Sequence, residues 1–100
     1  MSVQKPDAPK LKISNDPMYQ LLRDGAIKEF NAKKAAGRTC DLRCCDFRGL
    51  DLRGVDFRDA RLEGASINNA QVSGAFFPAE LSAGEIMLSV QHGTRMRYTK

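Results

Sequence analysis

The sequence predicts a β-solenoid: short extended pieces joined by tight turns, wound about an apolar centre and flanked by helices. Three observations predict it. Residues 40–79 divide into eight consecutive fives with no insertion: CDLRC, CDFRG, LDLRG, VDFRD, ARLEG, ASINN, AQVSG and AFFPA. The third residue of every five is large and apolar: Leu42, Phe47, Leu52, Phe57, Leu62, Ile67, Val72 and Phe77. The first is mostly small, the second and fourth are mostly polar, and the fifth favours glycine. A period of five fits neither a helix at about 3.6 nor a plain strand at about 2. It fits an extended piece whose first and third side chains share one direction, followed by a turn.

These units closely resemble the A(D/N)LXX pattern of the pentapeptide-repeat family, and eight tandem matches make the resemblance specific. The resemblance implies a small bacterial member of the family with a right-handed quadrilateral β-helix. It implies four units per coil, hence about two coils. Residue n then lies over residue n+20. The inward pairs become Cys40/Ala60, Cys45/Ala65, Leu50/Ala70 and Val55/Ala75. The third-position residues form the core ladder, and Phe57 and Phe77 are expected to stack. Outward, Asp41 is expected over Arg61 and Arg43 over Glu63, so opposite charges meet between coils.

The repeated D-x-R pattern places Arg43, Arg48, Arg53 and Arg58 on four different sides, each two residues after an aspartate. Two readings follow. The preferred one is a solvated, self-neutralised belt. The sharper one is a partner-facing belt. The outward Phe76 beside Pro78 is expected to be covered either by the C-terminal segment or by a partner.

The flanks read as caps. Residues 1–14 carry Pro6 and Pro9 among basic residues and are expected to form a mobile basic arm. Residues 15–38 are expected to form an N-terminal helical cap, opened by Asp16 before Pro17 and interrupted at Gly25. Leu21, Leu22, Ile27 and Phe30 should be buried there, with Lys28, Lys33 and Lys34 in water. Residues 80–100 are expected to hold a C-terminal capping helix and a frayed basic tail. Ser82 and Glu85 form a capping-box pattern, Ile86, Met87 and Val90 an apolar stripe, and Gly93 a stop. Exposed solenoid ends are an aggregation hazard, which is why repeat folds carry caps. The alternative for the C-terminal segment is a homodimer contact.

Composition narrows function. One hundred residues make one small domain. The apolar runs are too short to span a membrane, and the N-terminus has no signal-peptide pattern. A cytoplasmic protein with reduced cysteines is expected. The net charge of +4 is uneven: +4 over residues 1–39, −1 over 40–79 and +1 over 80–100. Cys40 and Cys45 are expected inward as small fillers, and Cys44 at a turn. With His92 far away, they do not make a four-ligand metal set. No nucleophile–base set, P-loop or dinucleotide fingerprint is present, so neither enzyme activity nor a cofactor is expected.

Three functions remain. The first is a scaffold binding an unknown protein partner. The second comes from the resemblance: DNA-mimicking modulation of a type II topoisomerase, disfavoured by the short, nearly neutral repeat block. The third is weak nucleic-acid binding through Lys5, Lys10, Lys12, Lys28, Lys33 and Lys34, disfavoured by the scarcity of aromatics there.

Overall fold

The computed structural model describes residues 10–98. Most of the expected arm, residues 1–9, lies outside the described residues. Within each five, the carbonyl of the third residue accepts from the N–H of the next unit's first residue. Leu52 O to Val55 N is 3.2 Å and Val72 O to Ala75 N is 3.0 Å. The fifth residue is therefore the third member of a four-residue turn that requires positive φ there. All of the first seven units comply, with φ from 60° at Cys44 to 80° at Gly64. Glycine is the natural occupant, and Asp59 and Asn69 are the tolerated substitutes.

The units stack at twenty-residue spacing. Parallel bridges join Asp41 to Arg61, Asp46 to Ser66, Asp51 to Gln71 and Asp56 to Phe76. Residues 40–59 thus form layer one and 60–79 layer two, with four faces of paired units. We number them from 40–44 over 60–64 (face one) to 55–59 over 75–79 (face four). A turn every fifth residue leaves room for single bridges only, and no longer strand forms among the described residues.

Leu42, Phe47, Leu52, Phe57, Leu62 and Ile67 are fully buried, whereas Val72 and Phe77 are only partly so. Phe57 is the aromatic hub. Its ring centroid lies 5.5 Å from Phe77 in a stacked pair, and 5.9 Å and 6.2 Å from Phe47 and Phe30 in edge contacts.

Two helices, α1 (Pro17–Arg23) and α2 (Ile27–Ala35), close layer one. Asp16 caps α1 by accepting from the Met18 N–H at 2.8 Å, and Gly25, at φ 78°, separates the two helices. Met18 and Tyr19 join Leu22 and Phe30 in the core, while Leu21 and Ile27 are half-buried at its margin. Lys28 is exposed, but Lys33 and Lys34 are half-buried, and the Lys34 ammonium donates to Arg58 O. The expectation of a mobile arm fails for residues 10–14. Lys12 bridges in parallel to Cys45, donating to Cys44 O and accepting from Asp46 N, both at 2.9 Å. The unpaired edge of layer one recruits it.

At the other end, α3 (Ala83–His92) crosses layer two. Ser82 accepts from Glu85 N at 3.1 Å, and Gly93 ends the helix in the left-handed region at φ 75°. Glu85 does not complete a capping box; its carboxylate takes the backbone N–H and guanidinium of Arg97. The inward stripe is Ile86, Ser89 and Val90, because the Ser89 hydroxyl accepts from the buried Ile67 N–H at 3.0 Å. Met87 is turned outward and is 48% exposed. The tail is not frayed up to residue 98. Met96 is buried and pairs with Gly64 N and Ala65 O, and the Tyr98 hydroxyl bonds both Leu62 N and Ala60 O.

Candidate interaction faces

Residues two apart in an extended piece share a side, so each Asp-x-Arg pair closes on itself. In layer one the four arginines, Arg43, Arg48, Arg53 and Arg58, each bind the aspartate two residues earlier with both prongs of the guanidinium. Arg43 donates to Asp41 at 2.8 and 2.6 Å, and Arg53 to Asp51 at 2.9 and 2.7 Å. The same carboxylates accept the arginine backbone N–H, as at Arg48 N to Asp46 at 3.0 Å. Hydrogen bonding to the guanidinium holds Asp41 and Asp51 down to about 2. Asp46 and Asp56 are lowered by their arginines in the same way.

The expected ion pairing between layers is therefore replaced by pairing within units. Asp41 binds Arg43, and Arg61 binds Glu63 at 2.6 Å. The backbones of Asp41 and Arg61 still bridge, but a neighbour on the same extended piece is the better-placed partner. Each fork spends its charge locally and presents a nearly neutral, fixed pair to solvent.

Face four departs from this uniformity. Phe76 remains 54% exposed, covered neither by the C-terminal segment nor by a helix. The Arg58 guanidinium lies 4.9 Å from its ring centre while also holding Asp56. Beside this pair runs a groove of about 380 Å³ between Lys34, Arg58, Asp59, Pro78 and Glu80. Its lining contains no histidine, cysteine or serine.

The remaining candidates do not converge. Cys40 and Cys45 are buried and Cys44 is half-buried, all with free thiols. Burial pushes Cys45 up to about 11, which suppresses the thiolate. His92 is exposed in the last turn of α3. Among the described residues no group of three or more metal-binding side chains assembles.

Four polar residues with structural roles at the ends escape a reading of local pattern. Tyr19 donates to Asp46 O at 2.6 Å. Asn31 donates to Gly54 O and accepts from Asp56 N, both at 2.9 Å, as a strand residue would. Ser89 and Tyr98 do the same for layer two.

No curated protein and no solved structure matches the chain. The family model for pentapeptide repeats matches residues 40–77 in eight copies.

Proposed function

We propose that the chain is a non-enzymatic scaffold, a right-handed quadrilateral β-helix of about two coils, that holds a protein partner against face four. The exposed Phe76 under the Arg58 guanidinium carries this reading. Aromatic and arginine side chains dominate the energetic centres of protein interfaces. Here the arginine is already oriented by Asp56, so little side-chain freedom is lost on binding. The other belt arginines offer the same fork without an aromatic neighbour. Local neutralisation of the four aspartates weighs against DNA mimicry, which requires an unneutralised negative surface. No helix among the described residues is long and apolar enough to cross a membrane. Three free thiols suit a reducing cytoplasm.

The test is affinity capture with quantitative mass spectrometry, using wild type beside Phe76→Ala and Arg53→Ala. A partner retained by wild type and Arg53→Ala, and lost about tenfold or more with Phe76→Ala, is expected. Equal retention by all three, or no retained protein, removes the proposal.

A further inference from the structure

Pairing off the charges of the repeat block leaves one over. Residues 40–79 hold five arginines and six carboxylates. Arg43, Arg48, Arg53 and Arg58 take the four aspartates two residues before them, and Arg61 takes Glu63. The sixth carboxylate, Asp59, makes no hydrogen bond or ion pair among the described residues. Its neighbour Arg58 turns both prongs of the guanidinium to Asp56 instead. Asp59 is also exposed, at the fifth position of its unit with φ 68°. Gly49, Gly54, Gly64 and Gly74 make the same left-handed turn without strain, so the turn itself does not call for a carboxylate.

Asp59 opens on to two hollows. One is the groove beside Phe76 and Arg58 on face four. The other, of about 330 Å³, reaches face one and is lined by Arg61, Glu63 and Tyr98. Asp59, Pro78 and Glu80 line both, so the two form one furrow around the corner between the faces. Charge is uneven along it. In the groove on face four, the Lys34 ammonium that donates to Arg58 O offsets part of the negative charge. The hollow on face one has no cation outside a fork, since Arg61 is held by Glu63. The Tyr98 hydroxyl there is engaged with Leu62 N and Ala60 O. A negative excess therefore rests on this hollow.

We infer, resting on the reading of face four as a partner site, that the furrow receives an extended basic segment of that partner. A lysine or arginine of the segment sits against Asp59 in the face-one hollow, and an apolar side chain covers Phe76. Complementary charge of this kind sets which partner is accepted and how fast it arrives, and an acidic segment is repelled.

Asp59→Asn removes the charge and keeps the turn, because Asn69 holds the equivalent position at φ 62°; its urea unfolding should match wild type. A random peptide library displayed on phage is selected against the wild-type chain. Recovered peptides are then measured against wild type, Asp59→Asn and Phe76→Ala. The expected peptides are rich in lysine and arginine. Their binding should weaken about tenfold with either substitution, and also as salt rises from about 0.05 to 0.5 M. Peptides lost with Phe76→Ala but not enriched in basic residues, or indifferent to Asp59→Asn, overturn this inference and leave the reading of face four standing. Peptides held equally by Phe76→Ala, or no recovered peptides, overturn both.

Discussion

The two ends of the stack solve one problem unequally. Layer one is closed by a backbone segment at Lys12 and by side chains from two helices: Tyr19, Asn31 and Lys34 take carbonyls on faces two, three and four in turn. Layer two is closed on faces one and two by Ser89, Val90, Met96 and Tyr98, whereas the outer backbone groups of its third and fourth faces (Ala70 O, Val72 N and Gly74 N; Ala75 O, Phe77 N and Ala79 N) make no hydrogen bond among the described residues. Charge follows the same division. Layer one carries four Asp–Arg forks, while residues 64–79 carry no charge. The difference teaches that capping is a matter of individual hydrogen bonds. An end can be covered by a helix and still present a usable edge.

The largest break in this comparison should come from the shared core. Phe57→Ala removes a fully buried ring that touches Phe30, Phe47 and Phe77 and so couples both layers to the N-terminal cap. A loss of about 3–5 kcal/mol is expected in urea unfolding. Phe77→Ala, at the less covered end, should lose clearly less. Equal losses would mean that layer two is as well closed as layer one.

Next come the hydroxyl caps. Tyr98→Phe strips a partner from both Leu62 N and Ala60 O and should cost about 1–3 kcal/mol. Tyr19→Phe should cost less, because Arg23 still donates to Asp46 O at 3.2 Å. Amide exchange at Leu62 should accelerate in Tyr98→Phe alone. An unchanged rate there would show that the hydroxyl is not a cap.

The smallest effect is that of acid. Hydrogen bonding to arginine lowers Asp41 and Asp51 from 3.8 to about 2, so their contribution to stability is complete above pH 4. It is lost as pH falls from about 4 toward 2, because the unfolded chain binds the proton first. Thermal melts between pH 5 and 2 should show this decline, and Asp51→Asn should flatten it slightly. The decline should be modest, since these pairs are exposed and screened. A melt that rises on acidification would contradict the pairing.

Much of the repeat block was legible in order of residues. The five-beat pattern located the turns, the resemblance to pentapeptide repeats implied the stacking of Phe57 on Phe77, and helix-start signals marked Asp16 and Ser82 as caps. It overstated Val72 and Phe77 as core, because a ladder residue is sealed only when another layer or a cap lies beyond it. Met87 was read inward from spacing alone, but a buried N–H at Ile67 drew Ser89 to the inner side of α3 instead. Residues 10–14 and 95–98 read as loose ends because their local composition is basic and aperiodic.

What the sequence determined by itself is whatever repeats: residue type at each fifth position fixes turn, inward side chain and outward fork through local geometry. The tertiary structure decided how the repetition stops. An end edge holds backbone donors and acceptors that must pair with something, and no local pattern marks which distant Lys12, Asn31, Met96 or Tyr98 will come within reach.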